Sequence, residues 1–268
     1  MYSGSTLTRA SGRILGAHQK IDRLAEKQLC QLLNTDKQFP KIRQILHFEG
    51  NNGPDAIKRK SPAKDEPWHY FQPFDSSDTE LLDIIESHYH RLVMSLKQRD
   101  EVRASFEAAW LAHAIVDGLT PAHHYPYGEK VVELRGGKGL ESRVTIKEKI
   151  MMPGTSVFDV CRNNWKFWGP KGLFITHAAF EMGIATMIKP LKLGQDICGD
   201  SPLLIHSNNL RDWYRETAQT VASMELYDRF YRQGWTRELA KDVRKDLLPI
   251  LVRSVALTWY GAVQEASV

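Results

Sequence analysis

A histidine and an aspartate four residues apart, His113 and Asp117, stand inside the run Ala109-Trp110-Leu111-Ala112-His113-Ala114-Ile115-Val116-Asp117. Val102, Phe106, Ala109, Trp110 and Val116 recur at helical spacing, so residues 101–117 read as a helix stopped by Gly118 and Pro121. Side chains at i and i+4 project from one helical face. That face is too apolar for a charged group without a partner, because an unpaired buried carboxylate costs several kcal/mol. A cation is a natural partner. The chain must therefore build a helical core around a charged pair.

The rest of the sequence repeats the helical period. Ile21, Leu24, Ala25, Leu29, Leu32 and Leu33 mark a helix over 16–33. Ser77, Asp78 and Thr79 offer N-caps for another, with the stripe Leu81, Leu82, Ile85, Tyr89, Leu92, Val93 and Leu96. Further helices are expected over 157–165, 173–187, 204–231 and 236–262, the last bent at Pro249. Residues 125–154 look least helical: Val131-Val132-Glu133-Leu134 and Arg143-Val144-Thr145-Ile146 flank Gly136-Gly137-Lys138-Gly139, which predicts a small hairpin or flap around 130–147. The expectation is an all-α protein, a single multi-helix domain over 1–268.

With ten His and three Cys in 268 residues, and no C-x-x-C pair, a metal site would use imidazole and carboxylate rather than thiolate. The net charge of +4 is too small to name a polyanionic partner. Residues 1–13 contain no apolar core of a signal peptide, and no run approaches the roughly 18 apolar residues of a membrane span. As written, the chain is expected to stay in the cytoplasm.

His113 and Asp117 are not alone. After the Thr120-Pro121 stop come His123 and His124, and His177 with Glu181 forms a second i, i+4 pair in an apolar helix. Asp55 and His69 lie in the loop-rich region before residue 73, and His18 lies in the first helix. The ordered set His18, Asp55, His69, His113, Asp117, His123, His177 and Glu181 resembles the bacterial zinc-dependent phospholipases C and the single-strand-specific nucleases that share their helical fold. The Thr-Pro turn between Asp117 and His123 resembles the Gln-Pro turn of that family, and the C-terminal segments with Trp213, Tyr214, Trp259 and Tyr260 resemble its closing helices.

The resemblance implies two to three Zn2+ ions. Asp55, His69, His113 and Asp117 would hold one, and His123, His177 and Glu181 another. His18 and a bridging Asp117 would hold the third, which in the family is completed by an N-terminal Trp. This chain begins Met1-Tyr2-Ser3-Gly4 and has no Trp before Trp68. Ala56 stands where choline-type members carry Tyr. The family is mostly exported.

The implied activity is hydrolysis of a phosphodiester by metal-activated water, most simply of phospholipase C type, with Asp55 as the catalytic carboxylate. The implied substrate is a phosphate ester, phospholipid or nucleotide. Trp68, Phe71, Phe74 and Tyr125 could form a rim that meets lipid in a transient membrane-surface contact, or stack bases beside Lys58, Arg59 and Lys60 in a nuclease or nucleotidase. A non-catalytic, metal-stabilised scaffold is the reading from another class. No stable protein partner is expected.

Overall fold

Helices dominate the computed structural model, which describes residues 16–33, 39–50, 52–60, 68–188, 190–191 and 204–268, the side chains of 58–60 and 140 excepted. No strand occurs among the described residues, so the all-α expectation holds. Residues 1–13, the Ser61-Pro62 turn, the side chains of Lys58, Arg59 and Lys60, and Cys198 lie outside them.

The charged-pair helix is α5 (Glu101–Gly118), and it is the most enclosed element. Its small residues Ala104, Ala108, Ala109 and Ala112 are buried, which lets neighbouring helices approach its backbone. α4 (Glu80–Lys97) packs along it after a tight reversal. Arg99 takes a left-handed conformation there, with φ 56°, and the Asp100 carboxylate caps α5 by accepting from the Arg103 amide at 2.9 Å. α1 (Ala17–Leu32) and α13 (Leu248–Ala266) close the other sides. Trp259 of α13 is fully buried and donates its indole N–H to the Ala108 carbonyl at 3.1 Å. One contiguous hydrophobic cluster runs from Ala17 to Ala262.

The C-terminal bend takes a specific form. α12 (Arg237–Asp242) passes through a π turn, Val243–Leu247, into α13, where Pro249 occupies the first turn. Proline has no amide to donate, and the wider turn just before it accommodates the missing hydrogen bond. The whole run Arg237–Ala266 is long and apolar enough to cross a bilayer by length and composition, contrary to the expectation from consecutive apolar residues. Yet 72% of its most apolar window is buried, because it is the helix that α1, α4 and α5 pack against.

Two other expectations are corrected. The helix expected over 204–231 is two helices, α10 (Leu210–Ala222) and α11 (Leu226–Gln233), separated where Glu225 adopts φ 51°. Of the hairpin or flap expected around 130–147, the hairpin is not formed: two short helices and a 3-10 turn joined by loop stand in place of strands. α6 (Tyr127–Leu134) contains Val131 and Val132. It ends in a Schellman motif: the Gly136 amide bonds the Glu133 carbonyl at 3.1 Å and the Gly137 amide bonds that of Val132 at 3.0 Å. The glycines, with φ 68° and 86°, stop a helix rather than turn a ribbon. α7 (Ile146–Ile150) opens on a capping box, the Thr145 and Glu148 side chains each bonding the other's amide at 3.2 and 2.8 Å. α8 (Val157–Trp168) and α9 (Leu173–Ile188) follow.

Gly118, at the end of α5, touches Leu81 and the Tyr214 hydroxyl so closely that a Cβ there would overlap both. Tyr214 also donates to the Ile115 carbonyl at 3.2 Å. Gly118→Ala should therefore lower stability by about 1–3 kcal/mol. Urea denaturation of the variant and wild type in one buffer reads the difference.

Candidate metal centre

Four segments converge on the C-terminal half of α5. The helix itself presents His113 and Asp117 from one face, and α1 packs against it with His18 turned inward. Past Gly118, the Thr120 hydroxyl donates to the Val116 carbonyl at 2.7 Å. A 3-10 turn, Pro121–His124, then carries His123 back over the helix end. The Phe71 amide bonds the His123 carbonyl at 3.1 Å, tying the segment that carries His69 to that turn. α9 brings His177 and Glu181.

Asp117 is at the centre and fully buried. Its Oδ1 lies 3.2 Å from His18 Nε2 and its Oδ2 3.2 Å from His113 Nε2. The two imidazoles stack with centroids 4.0 Å apart and planes within 5°. Their other nitrogens face a carboxylate that the sequence reading did not single out. His113 Nδ1 donates to Glu49 Oε1 at 2.9 Å, and His18 Nδ1 lies 4.0 Å from the same atom. Glu49 is fully buried.

A second group repeats the arrangement. His123 Nε2 and His177 Nε2 reach one oxygen of Glu181 at 2.9 and 3.0 Å, and their rings stack 5.0 Å apart at 10°. His123 Nδ1 faces Asp117 Oδ1 at 3.7 Å, so Asp117 stands between the groups.

Asp55, on α3 (Pro54–Lys60), places Oδ1 3.8 Å from His113 Nε2. His69 packs 5.1 Å from the His123 ring, measured between centroids. It also lines a cavity of about 20 Å³ with Trp68, His88, Trp110 and His113, room for about one water. The tight groups are thus His18 with His113 and Asp117, and His123 with His177 and Glu181. Asp55 and His69 flank them, Asp55 beside His113 and His69 between the His123 ring and the small cavity that His113 also lines.

The electrostatics follow from burial and opposite charge. Burial works against protonation of His113, but Glu49 and Asp117 prevail and push it up to about 10. Burial takes His123 down to about 4, with Asp117 and Glu181 pulling the other way. Burial would raise the carboxyls of Asp117 and Glu181, and among the described residues His113 and His123 act against it at Asp117, and His177 and His123 at Glu181. Asp22, one turn after His18 on α1, is pushed well above that range by burial and then by Glu49.

The residues fit a borderline cation such as Zn2+. All donors are imidazole nitrogen or carboxylate oxygen. Two tetrahedral ligands at zinc distances lie about 3.4 Å apart, close to the 2.9–3.2 Å separations within each group. The buried Nδ1 atoms of His123 and His177 have no hydrogen-bond partner among the described residues.

The other histidines have separate roles. His88 Nδ1 pairs with Glu107 at 2.5 Å, and Glu107 also pairs with Arg103. His124 donates to the Gly118 carbonyl at 2.8 Å, which fastens the 3-10 turn to the end of α5. Of the expected apolar rim, Phe71 is fully buried against Tyr214 and the Arg215 guanidinium. Phe74 and Tyr125 line an open cavity of about 350 Å³ with Tyr227 and the acidic Asp75, Glu225 and Asp228.

Two residues escaped the sequence reading for different reasons. Glu49 follows the short helix α2 (Ile42–His47) and has no spacing relation to any histidine. Asp22 did carry a signal, since His18 and Asp22 are a third i, i+4 pair in an apolar stripe. No protein-family profile matches the chain, and no curated protein matches it with significance.

Glu49→Gln keeps the volume but removes the charge behind His113. It should weaken zinc binding about 10- to 100-fold with the helical circular-dichroism spectrum unchanged. Competition against a chromophoric chelator measures it. Wild-type affinity in the variant would show that Glu49 does not set the imidazoles.

Proposed function

We propose that the chain is a zinc-dependent phosphoester hydrolase of the phospholipase C and single-strand nuclease type that its ligand order resembles. The carrying observation is the pair of His/carboxylate groups joined through the buried Asp117. His18, His113 and Asp117 would hold one ion, and His123, His177 and Glu181 another. Asp55, 3.8 Å from His113, and His69, which lines a small cavity with His113, would contribute to a further coordination sphere. Zinc, when bound, would supply Lewis acidity and bring coordinated water to a pKa of about 7.

The chain's own residues do the rest. Glu49 holds His113 with Nδ1 as donor, so that Nε2 points at the centre. Asp55 is buried with its carboxylate 3.8 Å from His113, close enough to orient the attacking water and accept its proton. The water oxygen bonds phosphorus, the ester P–O bond opposite breaks, and the departing alkoxide takes up a proton. His177 and Glu181 are less buried than His18, His113 and Asp117, so a phosphate group is expected to approach from the α9 side.

The phospholipase C activity is favoured over the nuclease or nucleotidase on the resemblance. The buried position of Phe71 leaves Trp68, Phe74 and Tyr125 of the expected rim for either substrate.

The test is hydrolysis by the zinc-loaded protein of a soluble phosphodiester, a phosphatidyl lipid and single-stranded DNA or RNA, each assayed with and without chelator. Asp117→Asn should lose bound zinc and at least about 100-fold in activity. Full metal content and activity in that variant would sink the assignment. Two or three zincs with no hydrolysis of any phosphoester would support the scaffold instead.

A further inference from the structure

α8 is an amphipathic helix with its apolar face outward. Among its twelve residues only Phe167 is buried. Phe158, Cys161, Trp165 and Trp168 fall at i, i+3, i+7 and i+10, one stripe of a helix, and all are exposed, Phe158 and Trp165 by 74% and 69%. α7 buries no residue, and its Ile146 and Ile150 are exposed on one face. The Trp168 indole donates to the Ile150 carbonyl at 2.8 Å, and Asn164 clasps the Met152 backbone at 2.8 and 3.0 Å. The two apolar faces are therefore neighbours on a braced platform. Ile146, Phe158 and Trp165 alone expose on the order of 400 Å², the size of the largest apolar patch on a soluble monomer, which is often a functional surface.

The charge around this face is equally one-sided. Residues 138–175 hold seven Lys and Arg against three Asp and Glu, a net +4 that equals the charge of the entire chain. Lys147, Arg162, Lys166 and Lys171 are exposed. A second copy seated face to face would bring these cations together. Nucleic acid would match the charge and the aromatic rings but gain little from the exposed Ile146, Ile150 and Val157. Exposed Trp and Phe with aliphatic residues inside a basic frame match an anionic bilayer interface.

We propose that the α7–α8 face docks on the surface of an anionic phospholipid membrane. The face continues into the candidate centre: Phe174 of α9 stacks on Phe167, with centroids 5.7 Å apart, and lies one turn before His177. Docking would therefore bring the α9 side of the centre towards the bilayer. The proposal rests on this face alone and stands independently of the phosphoester reading.

The full chain, zinc-loaded, is co-sedimented with phosphatidylcholine vesicles and with vesicles rich in phosphatidylserine. Binding is expected to the second, weakening with added salt, accompanied by a blue shift of tryptophan emission. Phe158→Ser with Trp165→Ser should weaken it at least about tenfold. Lys147→Glu with Lys166→Glu should remove the preference for phosphatidylserine. Both double variants should keep zinc content and hydrolysis of a soluble phosphodiester. Loss of lipid hydrolysis therefore tests the enzyme and loss of sedimentation tests the face. The proposal fails if wild type does not bind the anionic vesicles, or if both double variants bind them like wild type. It also fails if the serine substitutions abolish a dimer or single-stranded DNA binding while vesicle binding persists.

Discussion

Everything around α5 is arranged to keep one carboxylate ionised where no water reaches it. Asp117 sits at the C-terminal end of a helix whose other inward residues are mostly alanine, leucine and valine. Desolvation alone would protonate it, and the C-terminal carbonyls of its own helix add unfavourable potential. Stability of the ionised form depends on imidazoles delivered from three directions: His18 from α1, His113 from one turn back, and His123 from the reversal beyond Gly118. The packing of α1 on α5, the close approach at Gly118 and the 3-10 turn are all conditions of that one placement.

The two groups differ in how they meet solvent. The group around Asp117 is sealed, with His18 and Asp117 almost wholly buried, whereas His177 and Glu181 keep part of their surface open. An ion in the sealed group would contribute chiefly to holding the helices together, since binding to the native state alone stabilises it. One beside His177 would be more accessible to incoming ligands. Asp117 stands between the two groups, so an ion in one would change the field at the other.

Much of this was legible from residue order, and the misses have identifiable causes. Period 3.6 located α1, α4, α5 and α8, because each presents an apolar stripe to a core or to the surface, whereas α9, apolar on nearly every side, was legible only as an apolar helix. The i, i+4 rule brought His113 to Asp117 and His177 to Glu181, but the same rule applied to α1 would also have found Asp22. Glu49 had no such handle: its approach to His113 is a tertiary contact across 64 residues. At 130–147 the β-branched valines outweighed two helix signals that were present, a glycine stop and the Thr145–Glu148 capping box. Phe71 was expected on an apolar rim, yet the hydrogen bond from its amide to the His123 carbonyl ties its segment to the 3-10 turn, and its ring packs against that of Tyr214.

The excursion from α6 to α8 has its own small core, Tyr127, Val131, Met152 and Phe167, separate from the main cluster. Four side chains shelter little apolar surface; Phe167 is the one that α8 supplies, and α7 supplies none. Such a unit opens at a lower free energy than the bundle behind it. Its amides would therefore exchange with solvent deuterium well before those of α5 and α13, while His18, His113 and Asp117 remained in place. The protein would then behave as a slow-exchanging frame carrying a faster-opening excursion, with the stacked pair Tyr70 and Tyr127, next to His177, at the seam between them.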